Sequence, residues 1–219
     1  APSFGYLSVP KKKSGGQEGP YFHPVTETPG LTQVVSTPQG LKVKGGLVRE
    51  TTLMPKRLAP GHGACPGCGI FVNLNLLLRG IEGCVVLLFQ TGCGMVVSTP
   101  YPQTAFKVPY VHNLFQNGAA TLSGLIEVYR QRQKRGELPE GEITFVMVSG
   151  DGGMDIGMGC ALRAGLRGSG MILFEYDNGG YMNTGYQLSY STPKGARSAT
   201  SHVGARQYGK AFFHKDMPQ

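Results

Sequence analysis

The sequence predicts an α/β fold, a parallel sheet flanked by helices, and three observations predict it. Short apolar runs at residues 85–90, 143–148 and 171–176 alternate with stretches of helical periodicity at 70–79, 118–134 and near 155–166. The run at 85–90 is continuous and β-branched instead of alternating apolar with polar, as strands buried on both faces are. Each run leads into a segment supplied with Gly, Asp, Asn or Cys, and the carboxyl ends of parallel strands are where such sheets bind ligands.

In chain order, residues 1–60 hold many Gly, Pro, Thr and Lys, with short alternating pieces at 31–35 and 41–48. They read as an extended N-terminal arm or hairpin, because nothing there has the periodicity of a core helix. Residues 61–219 read as one domain. Its first helix follows Cys68 and Gly69, and the strand at 85–90 places Thr91-Gly92-Cys93-Gly94 in a loop. The helix at 118–134 carries Leu122, Leu125, Ile126, Val128 and Tyr129 and ends at Gly136. The strand at 143–148 runs into Ser149-Gly150-Asp151-Gly152-Gly153, and the strand at 171–176 feeds a long polar loop over 177–198.

Composition narrows the classes. A chain of 219 residues can bury a core without disulfides, and 40% hydrophobic with 16% charged residues is the balance of a globular enzyme, which excludes disordered and collagen-like chains. The net charge is +8, but the basic residues form no stripe interleaved with aromatics, so nucleic-acid binding is not expected. No apolar run approaches the ~20 residues of a membrane span, and Lys11, Lys12 and Lys13 precede no apolar segment of a secretory signal. Five cysteines, two in Cys65-Pro66-Gly67-Cys68, imply a reducing compartment, so cytoplasm is expected.

Two constellations carry chemistry. Gly150-Asp151-Gly152 lies between a strand and a helix, and Asp177-Asn178 follows a second strand. A carboxylate at one strand end, a carboxamide oxygen across the crevice, glycines and a helix N-terminus suit a divalent cation, magnesium by its oxygen ligands, that holds a diphosphate. Alone, Gly-Asp-Gly is equally a tight turn with a capping aspartate; the Asp-Asn pair favours the cation. The second constellation is Cys65, Cys68 and Cys93, soft ligands for zinc or an iron-sulfur cluster, with a redox pair at Cys65 and Cys68 as the other reading. Cys84 and Cys160 read as core or helix-packing cysteines.

These motifs occur in an order that resembles the β subunit of pyruvate:ferredoxin oxidoreductase (pyruvate synthase), in the 2-oxoacid:acceptor oxidoreductase superfamily. The matching pieces are Gly61-His62-Gly63, Cys65 through Gly69, Thr91-Gly92-Cys93, Tyr101-Pro102 through Pro109 to Asn113, Gly150 through Gly153 with Asp155-Ile156-Gly157, Tyr176-Asp177-Asn178, Gly180 through Gly185, and Ser191-Thr192-Pro193. The resemblance implies a thiamine-diphosphate-binding fold. It implies Asp151, Asn178 and the carbonyl of Gly180 as magnesium ligands, with Gly150, Gly152, Gly153 and Thr184 at the cofactor. Asn183 corresponds to a residue near the reactive carbon, where an amide orients substrate. Cys65, Cys68 and Cys93 correspond to three ligands of a [4Fe-4S] cluster.

In that family the fourth cluster ligand comes later in the chain. Gln219 precedes that region, so the sequence is expected to be C-terminally incomplete, or another chain supplies the ligand. No glutamate is assignable as thiamine activator, since Glu127 and Glu175 fall on a helix surface and a strand. The resemblance places that glutamate on an α subunit of a heteromeric complex with a ferredoxin-like subunit. It implies oxidative decarboxylation of pyruvate with coenzyme A and a ferredoxin acceptor. The alternatives are oxalate, branched-chain or aryl 2-oxoacids such as phenylglyoxylate, a non-oxidative thiamine-dependent decarboxylase, and a structural zinc module. His62 and His112 read as hydrogen-bonded structural residues, Tyr101, Tyr181, Tyr186 and Tyr190 as packing or interface residues, and the basic side chains of Arg79, Lys134, Arg135 and Lys194 as a solvated face.

Overall fold

Apolar runs bounded by turn residues become strands here because both of their faces can be covered. The computed structural model describes residues 32–38, 40–45, 48–81, 83–100, 104–138, 141–202, 209–212 and 215. The chain divides into two units, residues 1–46 with 215–219, and residues 47–214. In the first, β1 (Thr32–Thr37) and β2 (Gly40–Gly45) form an antiparallel hairpin in which Val34 pairs with Val43. The alternating pieces of the expected arm are thus a hairpin. Tyr101 and most of the arm lie outside the described residues.

The second unit is built on a four-stranded sheet, all parallel. Its elements are α1 (Val48–Leu53), α2 (Ile70–Gly80), β3 (Cys84–Gln90), α3 (Cys93–Ser98), β4 (Tyr110–Asn113), α4 (Gly118–Lys134), β5 (Ile143–Gly150), α5 (Asp151–Arg167) and β6 (Met171–Tyr176). The strand order is β4-β3-β5-β6. Leu87 pairs with Val146 and Val146 with Ile172, so the three long strands are in step and their carboxyl ends form one edge. The α/β class read from the sequence is the one observed.

Each strand face has its own cover. Val85, Leu87, Phe89, Val146 and Val148 pack with Ile70, Leu74 and Leu78 of α2 and with Phe106 and Tyr176. The alternate residues Val86, Leu88, Phe145 and Met147 are buried too, and alternation turns them to the other face. There α4 and α5 pack on the sheet, with Tyr129 edge-on to Phe145 at 5.4 Å between centroids. A fully buried Leu such as Leu74 or Leu87 contributes about 1.5–3 kcal/mol. Arg57 closes the end of α2 by donating to the carbonyls of Leu78, Ile81 and Gly83 at 3.2, 2.7 and 2.6 Å. Residues 57–59 also pair with 105–107.

Four details differ from expectation. Cys93 and Gly94, expected in a loop, open the short helix α3. Helix α5 begins at Asp151 and not near 155, with Gly150 in extended conformation as its cap. The short helix α1 lies within the expected arm. Cys84, expected in the core, is exposed, and Cys160 is half-buried.

Candidate functional site

The ends of β3, β5 and β6 converge on a cavity of about 400 Å³ lined by Cys93, by Gly150 through Gly153, by Asn178, and by Gly180 through Thr184. A second cavity of about 570 Å³ adjoins it and is lined by Cys65, Cys68, Cys93, Asp177 and Asn178. Cys93, Tyr176, Asn178, Met182 and Asn183 line both. The fold therefore brings the two constellations of the sequence to one edge of the sheet.

Asp151 is only 1% exposed. It sits in the first turn of α5, where unpaired N–H groups and the helix dipole favour a negative charge. Its Oδ2 accepts from the Ser189 hydroxyl at 2.6 Å, leaving Oδ1 to face Asn178. Ser189 is held in turn by Thr192. The Thr192 N–H donates to Ser189 Oγ at 3.2 Å, the Ser189 N–H donates to Thr192 Oγ1 at 2.9 Å, and Thr192 Oγ1 donates to the Gly179 carbonyl at 2.7 Å. Asp155 accepts from the Tyr190 N–H at 2.8 Å, and the buried Lys210 ammonium donates to the carbonyls of Tyr190 and Thr192. One turn thus fixes both the carboxylate and the loop that bears Asn178. Ser189, Asp155 and Lys210 were not among the expected site residues; Asp155 lies in the matching piece Asp155-Ile156-Gly157, and Ser191-Thr192-Pro193 was the signal nearest to Ser189.

One end of the Asn178 amide stands 2.9 Å from the Gly180 carbonyl oxygen and 3.0 Å from Asp151 Oδ1. The other end stands 3.8 Å from Cys93 Sγ. With the amide nitrogen toward Asp151, it donates to both oxygens; with the oxygen there, three oxygens converge. Neighbouring oxygens in an octahedral magnesium shell, with bonds of about 2.0–2.1 Å, stand about 2.8–3.0 Å apart. The two spacings are those of hydrogen bonds from the amide nitrogen and equally, with the amide oxygen turned inward, those of an all-oxygen donor set that fits magnesium.

The three thiols line one cavity without converging on a point. Among the described residues no three His, Cys, Asp or Glu side chains are grouped to hold a single metal ion. In a cubane cluster each thiolate binds a different iron, so its ligands are spread around a cage, and soft donors around a shared cavity fit that group. Burial pushes the Cys93 thiol up from its usual range; the Asn178 amide and the Asn183 backbone pull it back, and Cys68 and Cys65 push it up again.

Tyr176 is the shared wall, a part the sequence did not assign to it. A Cβ on Gly92, Gly94 or Gly150 would stand 2.7–2.9 Å from its ring or hydroxyl, so these glycines make room for the tyrosine. Its hydroxyl accepts the Gly94 N–H at 2.9 Å, and burial holds the phenol well above its usual range, hence neutral. His62 stacks on Phe71 at 4.0 Å, and His112 Nε2 bonds Thr91 Oγ1 at 2.9 Å. Thr184 bonds Gln187 within the turn where Tyr181 N–H meets the Gln187 carbonyl.

Gly152 is pressed by the Tyr181 ring, whose carbons would lie 2.1 and 2.2 Å from an added Cβ. Gly152→Ala is expected to expel that ring at a cost of about 1–3 kcal/mol. Gly124→Ala on α4, which meets nothing within 4 Å, should instead stabilise by up to about 1 kcal/mol. Urea unfolding of the two variants checks the contrast, and equal effects would contradict the packing described.

Fold and site define a class, a parallel α/β unit with oxygen donors and thiols in adjoining cavities at its carboxyl edge. By structure the chain is similar to a 2-oxoglutarate:ferredoxin oxidoreductase from Magnetococcus marinus, with a TM-score of 0.54 at 20% identity over 76% of this chain and 52% of that one, a likeness of fold. By sequence it is 43% identical over 162 residues to the pyruvate synthase subunit PorB of Methanothermobacter marburgensis, covering 74% of this chain and 54% of that protein. It is 40% identical over 167 residues to PorB of Thermotoga maritima, covering 73% and 51%. The β subunit of an NADH-dependent phenylglyoxylate dehydrogenase from Aromatoleum evansii is 36% identical over 163 residues, covering 73% and 35%. No family model matches. Over the shared region the chain is similar in sequence to pyruvate synthase PorB subunits, in keeping with the resemblance read from its motifs. It spans about half the length of these PorB relatives.

Proposed function

We propose that this chain is the thiamine-diphosphate-binding and [4Fe-4S]-binding subunit of a 2-oxoacid:ferredoxin oxidoreductase complex. The observation that carries the reading is the group of Asp151 Oδ1, the Asn178 amide and the Gly180 carbonyl at 2.9–3.0 Å, beside a cavity lined by three thiols. Thiamine diphosphate supplies the carbon nucleophile and electron sink for decarboxylating a 2-oxoacid, and an iron-sulfur cluster accepts electrons singly. Asp151, Asn178 and Gly180 hold magnesium, and the amides of Gly152 and Gly153 at the start of α5 face the diphosphate. Ser189 keeps the Asp151 carboxylate turned so that one oxygen serves the cation. Cys65, Cys68 and Cys93 ligate the cluster. Asn183, which lines both cavities, orients the substrate beside the cofactor.

Pyruvate is the first choice of substrate because the PorB relatives are pyruvate synthase subunits, and coenzyme A and a ferredoxin are the proposed acyl and electron acceptors. An aryl 2-oxoacid is the second, favoured by the phenylglyoxylate dehydrogenase relative. The thiamine-activating glutamate comes from a partner α subunit. No helix among the described residues is long and apolar enough to cross a membrane, and cytoplasm is the proposed location.

The test is metal, sulfide and thiamine analysis of the purified complex, followed by a screen of pyruvate, oxalate, branched-chain and aryl 2-oxoacids with coenzyme A and a low-potential dye. Iron, sulfide, magnesium and thiamine together, with oxoacid-dependent dye reduction, are expected. Thiamine without iron would point to a non-oxidative decarboxylase, and zinc alone to a structural module.

A further inference from the structure

Asn178 touches both cavities with opposite ends of one amide, which has one donor end and one acceptor end. Its two contacts are therefore linked. When the nitrogen lies toward Asp151, it donates to Asp151 Oδ1 and the Gly180 carbonyl, and the amide oxygen is left facing Cys93 Sγ. When the oxygen lies toward Asp151, it faces two other acceptors, the Gly180 carbonyl at 2.9 Å and Asp151 Oδ1 at 3.0 Å, an arrangement that a cation stabilises, and the nitrogen then donates to Cys93 Sγ at 3.8 Å.

We infer that a divalent cation among Asp151, Asn178 and Gly180 turns the Asn178 amide so that it donates an N–H···S hydrogen bond to Cys93, and that without the cation this bond is absent. The inference rests on the proposed magnesium and cluster sites and deepens them. Donors to a ligating sulfur stabilise the more negative, reduced state of a cluster. Cation occupancy, and with it the anchoring of the cofactor, is thereby communicated to the electron acceptor through a single side chain. The turn that holds Ser189 and Gly179 contributes by keeping the Asp151 carboxylate and the Asn178 loop in register.

Asparagine labelled with ¹⁵N in its side-chain amide, incorporated into the intact complex, provides the test. Pulsed electron paramagnetic resonance of the reduced cluster is compared with magnesium ion alone added and after its removal by a chelator. A ¹⁵N coupling present with magnesium, lost on chelation and restored on re-addition is expected. Asn178→Asp keeps an oxygen for the cation and removes the N–H, so it should lack this coupling in both states, which assigns the signal. The wild-type comparison alone decides the matter if the variant does not assemble. A coupling indifferent to magnesium in a complex that holds its full iron would overturn the inference and leave the proposed function standing. A complex without iron would overturn the proposed function and this inference with it.

Discussion

Asp151→Asn is expected to weaken retention of magnesium and thiamine diphosphate by about 10²–10³-fold, while the iron content of the complex and the stability of the cofactor-free protein stay as they are. The carboxylate is 1% exposed, and in that environment an ionised group is costly unless charge or hydrogen bonds offset it. The Ser189 hydroxyl and the start of α5 offset part of the cost, and at the proposed site a cation would add to them. Truncating one partner of such a buried charge pair costs about 2–5 kcal/mol, at about 1.4 kcal/mol per tenfold in affinity. Asparagine keeps an oxygen to accept from Ser189, so that contact survives, while the charge is lost and the oxygen that faces Asn178 is replaced by an NH2 group. Ser189→Ala should show the smaller loss of a group that orients a ligand, about tenfold or somewhat more. Titration calorimetry of the complex with magnesium and thiamine diphosphate, beside urea unfolding of the cofactor-free protein, reads both effects. Unchanged affinity in Asp151→Asn would remove the carboxylate from the site.

The parts of this molecule that the sequence made legible are those whose physics is local. Residues 143–148 are a continuous apolar run because β5 lies between covers, residues 171–176 are interrupted by Glu175 because β6 is a half-buried edge strand, and α4 shows helical spacing with Leu122 and Ile126 buried. The carboxylate and the carboxamide were found because both stand at strand ends. What was missed depends on contacts distant in sequence or on weak local signals. Strand β4 is only Tyr-Val-His-Asn at a sheet edge, too short and too polar to announce itself. The start of α5 is hidden by glycines that Tyr181 and Ser149 require, residues a helix would otherwise avoid. Helix α3 begins in Thr-Gly-Cys-Gly, which has the composition of a turn, and its opening is fixed by the Gly94 N–H donating to Tyr176, 82 residues away. Ser189 lies 38 residues beyond Asp151 in a polar loop, so no spacing rule joins them. Cys84 was misplaced because an apolar neighbourhood in sequence does not reveal that the first residue of a strand projects beyond its cover.

Cys93→Ser is expected to empty the complex of its cluster, abolishing both the brown absorption and electron transfer to a dye, while magnesium-dependent thiamine retention changes by less than about tenfold. Hard and soft donors are segregated here: the three oxygens of the proposed cation site stand together, and the sulfur of Cys93 faces the far end of Asn178. An N–H···S contact is worth about as much as an ordinary hydrogen bond, so its loss is a modest perturbation to the oxygen site. The cluster, by contrast, loses a first ligand that serine, a harder donor, replaces poorly. Cys84→Ser is the internal control, since Cys84 opens β3 at the end of the strand opposite the site and is exposed. The two ligand-site variants should therefore separate the inorganic groups, Asp151→Asn losing the cation with the iron retained and Cys93→Ser losing the iron with the cation retained. Iron and magnesium analysis of both purified complexes measures this. Joint loss of both groups in either variant would mean that the adjoining cavities form one site in which neither ligand set is stable without the other.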